Sequence, residues 1–294
     1  MTRHETSLAY AARIERVLMH IAEHLDDVLD LDCLAGIACF SPYHFHRLFV
    51  AMTGETVAEA VRRLRLHRAA VELNRMATPL PRVARKAGYG SVAAFTRAFS
   101  SAHGLPPAAY RRLGQDLRPA PPAAGASTMP PRPALRTALS YDVTIETVPA
   151  IRLAALPHEG DYQEIGKTFD RLFAWAGGRG LLGAATRSIG VYYDDPTSKP
   201  ARELRSEAGI TLPGGTGLGP DMHWLDVASG RVARLVHKGP YADLDVAYAW
   251  LYHTWLPNSG LEPGEAPCFE EYLNDPRQAP PTEWLTGVHL PLKG

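Results

Sequence analysis

No stretch of this 294-residue chain approaches the ~20 consecutive apolar residues that span a membrane. The opening MTRHETSLAYAARIERVL is charged throughout and lacks the apolar core of a secretory signal. A soluble, cytoplasmic protein without a membrane partner is expected. Cysteine is scarce. Cys33, Cys39 and Cys268 form no C-x-x-C pair, and an odd number gives no disulfide framework. Cys33 and Cys39 fall in an apolar helical pattern and are expected in the core. Also missing are a G-x-S-x-G elbow, a Cys–His pairing, a metal-ligand cluster and a phosphate-cradling loop, so no catalytic residue, metal or cofactor is assigned. Net charge is zero, 31 basic against 31 acidic residues, but unevenly spread. Residues 1–118 hold 16 Lys/Arg and 11 Asp/Glu, and the remainder hold 15 and 20. A basic front and an acidic rear suggest a polyanion-binding module joined to something else.

The length suits two domains, and the sequence between them is plain. LRPAPPAAGASTMPPRPA (117–134) carries six prolines and almost no large apolar residue, a composition that cannot bury enough surface to fold. The expected organisation is a basic front domain at 8–114, a Pro/Ala-rich linker at 115–140 and a second domain at 141–294. Such a linker is a poor lever, so communication between the domains calls for their docking. Before the linker the pattern is helical and repeated: LAGIACF (34–40) matches VARKAGY (83–89), and Arg47, Phe49 and Gly54 match Arg97, Phe99 and Gly104. Each copy reads as a short helix, a turn and a second helix beginning at serine, with Ser41-Pro42 as N-cap and first turn and Ser91 as the second cap. ETVAEAVRRLRLHRAAVELNRM (55–76) reads as one connecting helix. This is a helix-turn-helix, twice.

The rear half repeats as well. LAALPHEGDYQEI (153–165) aligns with VARLVHKGPYADL (232–244), VYYDDP (191–196) with EYLNDP (271–276), and AGITLP (208–213) with TGVHLP (286–291). The unit is strand-helix-strand-strand. Two such units are expected to pair about a pseudo-twofold axis, with helices on one side of the sheet and a cleft on the other. The fold class is therefore multi-domain: an all-α tandem helix-turn-helix domain, then a duplicated α/β (α+β) domain.

In the first helix-turn-helix, Phe45, Leu48 and Phe49 follow helical spacing inward, which turns Tyr43, His44, His46 and Arg47 outward toward a major groove. Arg47 suits guanine O6 and N7, although an arginine on a helix face also reads as mere solvation. His44 and His46, at i,i+2, do not share a helix face and make no metal pair. In the second unit Phe95, Ala98 and Phe99 point inward, leaving Val92, Ala93, Thr96 and Arg97 outward. That face is poorer in hydrogen-bonding groups, so base reading leans on the first unit. Arg62, Arg63, Arg65, Arg111 and Arg112 are phosphate-contact candidates.

LAxxAxFSPYHFHRLF, the spacing Arg65 to Ala69, and VARKAGYGSVAAFTRAF with GLPPAAYRR together resemble the tandem helix-turn-helix domain of AraC/XylS-type transcription regulators. That resemblance implies two recognition helices placed in successive major-groove segments of double-stranded DNA, with RNA polymerase as a further partner. HEGDY, GVYYDDP, HKGPY, AYAWLYHTWLPNSG, FEEYLNDP and the closing HLPL resemble the GyrI-like effector-binding domain. That implies a duplicated α/β domain with a central groove for small aromatic or cationic molecules, as in multidrug sensing. Relatives of such domains sense ligands, inhibit partner proteins or hydrolyse reactive rings.

Strand alternation in FEEYLNDP (269–276) puts Phe269, Glu271 and Leu273 on one face and Cys268, Glu270 and Tyr272 on the other. The Phe/Leu face suits packing under the helices, with Glu271 at its edge, leaving Glu270 and Tyr272 to the cleft. In the repeat alignment Tyr272 matches Tyr192, whereas Glu270 falls on Gly190, which leaves room for a ligand. A carboxylate among aromatic walls suits an organic cation. Tyr192, Tyr272, Trp224, Tyr241 and Trp250 are the candidate walls, although Tyr241 and Trp250, on or near the repeat helix, read more readily as core. The chain is expected to be a ligand-responsive regulator and not an enzyme. Two alternatives are a protein-interaction role for the rear domain and hydrolysis of a reactive molecule by Glu270.

Overall fold

The computed structural model describes residues 3–75, 78–116 and 140–294, so most of the expected linker lies outside the described residues. The described chain divides into two compact units. One holds the chain up to Ile14, Leu31–Met52 and everything from residue 140 to Gly294; the other holds Glu15–Asp30 and the described residues from Thr53 to 116.

The second unit is helical. After α1 (Arg3–Glu23), α2 (Leu31–Ala38) and α3 (Pro42–Thr53) come α4 (Val57–Arg75), α5 (Leu80–Lys86), α6 (Val92–His103) and α7 (Pro107–Asp116). A capping box starts α4. The Thr56 amide donates to Glu59 Oε2 at 2.8 Å, and the Glu59 amide donates to Thr56 Oγ1 at 3.2 Å. Leu66, Ala69, Leu73, Val83, Ala84, Phe95 and Phe99 form its core. Ser91 caps α6 as expected, accepting from the Ala94 amide at 3.2 Å. Arg65, a phosphate-contact candidate, donates its Nε to the Leu25 carbonyl at 2.9 Å, bracing the turn between α1 and α2.

The first unit joins α2, α3 and the start of α1 to an eight-stranded antiparallel sheet in the order β1-β6-β8-β7-β3-β4-β2-β5. The strands are β1 (Val143–Val148), β2 (Ile151–Glu159), β3 (Ser188–Tyr192), β4 (Arg205–Ile210), β5 (His223–Val227), β6 (Gly230–Lys238), β7 (Cys268–Tyr272) and β8 (Leu285–Pro291). Each repeat has one strand more than the alignment suggested, and the extra strands are exchanged: β1 pairs with β6, and β5 with β2. Val148 faces Gly230 and Ile151 faces Val227, so the register runs on unbroken across both bends. β1–β2 and β5–β6 are therefore the two halves of one bent ribbon, which draws the ends of the sheet together. Gly160 and Gly239, the matching glycines of HEGDY and HKGPY, take φ of 128° and 146°, conformations that side chains disfavour.

Helix α8 (Ile165–Gly177) belongs to the first repeat. In the second, α9 (Leu244–Trp250) passes through a π-helical turn, Leu251–Trp255, into α10 (Leu256–Ser259). Pro257, which has no amide hydrogen to give, stands two residues past the end of that turn. The helices lie on the face of Tyr192 and Tyr272, where α8 packs against Leu156, Ala208 and Ile210. The opposite face folds on itself around Leu153, Ile189, Val191, Val232 and Phe269. This reverses the expected sides. Phe269 faces the sheet's own interior, and helices and cleft share the Glu270 face.

Two smaller expectations are also corrected, and Glu271 gains a partner. Cys33 and Cys39 are exposed, Cys39 because it occupies the left-handed turn between α2 and α3, with φ 54°. The Ser41 Oγ is buried without a partner and caps nothing, although Pro42 does open α3. Glu271 makes a bidentate pair with Arg187, at 2.6 and 2.9 Å.

Candidate functional site

The middle of the sheet sets the geometry. In the β3–β7 pairing Gly190 stands directly opposite Glu270, the residue it also matches in the repeat, so the pseudo-twofold axis passes between them. Tyr192 and Tyr272 are related by the same axis, and their hydroxyls meet at 2.5 Å. A Cβ on Gly190 would lie 2.9 Å from the Tyr192 ring and 3.0 Å from the Tyr272 hydroxyl. The space that the missing side chain leaves is thus filled by two phenols, not by a ligand, and they hold Glu270. Tyr272 donates to Glu270 Oε2 at 3.2 Å, and Tyr248 on α9 donates to Oε1 at 3.1 Å.

Glu270 is only 4% exposed. Burial pushes its carboxyl up to about 7, while the hydroxyls of Tyr248, Tyr272 and Tyr192 and the charge of Arg47 pull it back down. The same burial, with Glu270 nearby, raises the three phenols well above their usual range, so they remain donors. No Lys or Arg is among Glu270's hydrogen-bond partners in the described residues.

Above this floor lies a cavity of about 1230 Å³ between α8 and α9. Phe169 and Phe173 of α8 line one wall, Tyr248 and Tyr252 the other, with Tyr162, Tyr241 and Trp284 at its edges. Of the predicted effector residues, Glu270, Tyr272, Tyr192 and Tyr241 come together here. Two do not. Trp224 sits on β5, at the sheet margin, under the Arg152 guanidinium at 4.9 Å, and Trp250 packs edge-on against Tyr141 at 5.5 Å. Tyr248 and Tyr252 were missed. They lie one turn apart, and Tyr248 follows Leu244 at helical spacing, but that spacing is also what a core residue shows.

The face of α3 expected to read DNA is not turned outward in this structure. His44 is fully buried and His46 nearly so. His44 Nε2 lies 3.0 Å from the Ala266 carbonyl, which can only accept, so Nε2 carries the proton. Nδ1 then accepts from the Tyr252 hydroxyl at 2.7 Å. Burial, with Arg47's charge beside it, pushes this imidazole down to about 3 and keeps it neutral. His46 Nδ1 lies 2.9 Å from Asp195 Oδ2 in the VYYDDP turn. Burial alone would raise the Asp195 carboxyl, but the His46 bond and Arg47's charge hold it below the ordinary range. Arg47 lays its guanidinium over the Tyr248 ring at 4.4 Å and lies 5.6 Å from that of Tyr252. Tyr43 leans on Tyr193 at 6.0 Å. The helical spacing was read correctly; what the sequence could not show is that this face of α3 has a partner.

The other helix-turn-helix residues stand as follows. On α6, Ala93 and Arg97 are exposed, Thr96 is half-buried, and Val92 packs partly against the core. Arg62 and Arg112 are exposed, whereas Arg111 donates to the Thr78 carbonyl at 2.5 Å and Arg63 pairs with Glu55 at 2.6 Å.

A family model described as a GyrI-like small molecule binding domain matches residues 141–293, and a helix-turn-helix domain model matches residues 34–113. The chain is similar to a DNA gyrase inhibitor of Edwardsiella piscicida, 34% identical over 159 residues, which cover 51% of this chain and 97% of that protein. It is similar to the transcriptional regulator Rob of Salmonella typhimurium, 32% identical over 154 residues, 48% of this chain and 53% of the relative. A solved EcmrR–DNA complex aligns with 90% of this chain and 98% of its own at 13% identity, with a TM-score of 0.46.

Proposed function

We propose, for a chain that belongs to the GyrI-like small molecule binding domain family and carries an AraC-type helix-turn-helix domain, that the molecule it senses is a small aromatic cation held at Glu270. The chain is a DNA-binding regulator. The observation that carries the ligand reading is the carboxylate itself, buried at the floor of an aromatic-walled cavity with only hydroxyls bonded to it. An entering cation supplies the missing charge and stacks on the phenol and phenyl faces, each such contact contributing about 0.5–2 kcal/mol. Calorimetry with benzyltrimethylammonium and related aromatic quaternary ammonium ions tests this. Saturable binding that falls at least about tenfold in Glu270→Gln, some 1.4 kcal/mol, is expected. Failure of every such cation to bind would remove the reading. Product analysis of the same mixtures separates binding from hydrolysis by Glu270.

On DNA, α6 would present Ala93, Thr96 and Arg97, with Arg62 and Arg112 on phosphates, and α3 would present Tyr43, His44, His46 and Arg47 once undocked. RNA polymerase is the partner through which a promoter-bound regulator acts. Arg97→Ala is expected to weaken duplex binding and lower its salt slope by about 1 if Arg97 meets phosphate. An unchanged slope and affinity would remove Arg97 from the interface. A second reading is favoured by the Edwardsiella relative, which is named a DNA gyrase inhibitor: the β domain would then grip a protein. Binding of gyrase in place of small cations would decide for it.

A further inference from the structure

Arg47 offers the pocket the kind of group the pocket is built to take. Its guanidinium lies 4.4 Å over Tyr248, the residue whose hydroxyl holds Glu270, and it lines the same cavity. One turn further along, Tyr252 bonds His44. A ligand that needs the Tyr248 face and Glu270 therefore meets Arg47 first, and anything that moves Tyr248 acts on the helix that also carries the His44 latch. The third latch, His46 to Asp195, closes the same side of α3. Those side chains form the face with which α3 would read a major groove, so it cannot serve the sheet domain and DNA together.

We propose that Arg47 is a tethered stand-in for the cationic effector, and that a bound cation expels it and returns α3 to DNA. This rests on the cation reading of the pocket. The docked helix is then the silent state, and effector and DNA favour the same open state. A tethered competitor lowers the apparent affinity of the free ligand by the fraction of molecules that are open, so removing the guanidinium tightens cation binding. Simple charge repulsion between Arg47 and the ligand would do that as well. Only displacement couples the cation to DNA, and the coupling must be reciprocal.

The experiment uses the full chain, benzyltrimethylammonium, and a duplex selected from a random pool by the full chain in the presence of that cation. Saturating cation is expected to tighten duplex binding by roughly 5- to 150-fold, and the duplex to tighten cation binding by the same factor. In NMR the His44 imidazole, assigned through His44→Gln, is expected to titrate near 6.5 once the cation is bound. Asp195→Asn, outside both α3 and the Glu270 cluster, is expected to raise duplex affinity without cation, and Arg47→Ala to raise cation affinity. The inference is overturned if the cation binds and Glu270→Gln abolishes that binding, yet duplex affinity stays level or falls and His44 remains protected. The effector reading survives that result. If no cation binds wild type, both readings fall.

Discussion

Glu270 holds a carboxylate where burial favours the neutral acid, and that conflict can be measured. Its proton leaves near 7 in the folded chain and near 4.5 in the unfolded one. Below pH 4.5 both states are protonated and the residue costs nothing. As pH rises toward 7 the unfolded chain releases its proton first, and folded stability falls by about 1.4 kcal/mol per pH unit, on the order of 3 kcal/mol in all. Glu270→Gln has no proton to lose. Denaturant titrations are expected to find wild type and variant nearly alike at pH 4.5, with the variant the more stable at pH 8. Parallel curves at both pH values would mean that the carboxyl is better solvated than its burial implies. The glutamate's place opposite Gly190 was legible in the repeat, because register follows from alternation. That two tyrosines would fill the vacancy was not, since a glycine in a sequence does not say which neighbour uses its space.

Among the elements, α3 is the one whose surroundings overrule its own pattern. Its amphipathic spacing correctly buries Phe45, Leu48 and Phe49, yet the opposite face is engaged too, through His44, His46 and Arg47. Docking therefore depends on pH in a definite direction. The groups facing His44 are the Tyr252 hydroxyl, the Ala266 carbonyl and the Arg47 guanidinium, and the ring stays neutral down to about 3. Released, it would take up a proton near 6.5. Docking is at full strength above pH 6.5 and weakens as pH falls, by up to about tenfold per pH unit toward 3. Protease cleavage at α3 is expected to quicken between pH 7.5 and 5.5 in wild type, with a flatter profile in His44→Gln. Equal profiles would show that the histidine does not govern the docking. The π-helical turn that sets Tyr248 and Tyr252 at this contact left only Pro257 as a trace in the sequence, and a proline alone does not distinguish a π turn from a kink.

At the scale of the molecule, the bent ribbon makes one β domain out of two repeats. Each repeat's first strand lies on the other repeat, so neither half closes its core alone. Leu153, fully buried in that shared core, is a fair probe. Leu153→Ala is expected to cost about 2–5 kcal/mol and to lower a single transition seen identically by tryptophan fluorescence and circular dichroism. Two separated transitions would show that the repeats fold independently. The sequence by itself determined the two domain types, both duplications, the helix-turn-helix pairs and the acid at the centre, because periodicity, turn chemistry and internal repetition are local or self-referential. Only the tertiary structure decided which side of the sheet carries the helices, which aromatics reach Glu270 rather than the margin, and that Arg47 points into the cavity. Those depend on contacts between segments as far as 222 residues apart, and a pattern of alternation fixes which residues share a face without saying what that face will meet.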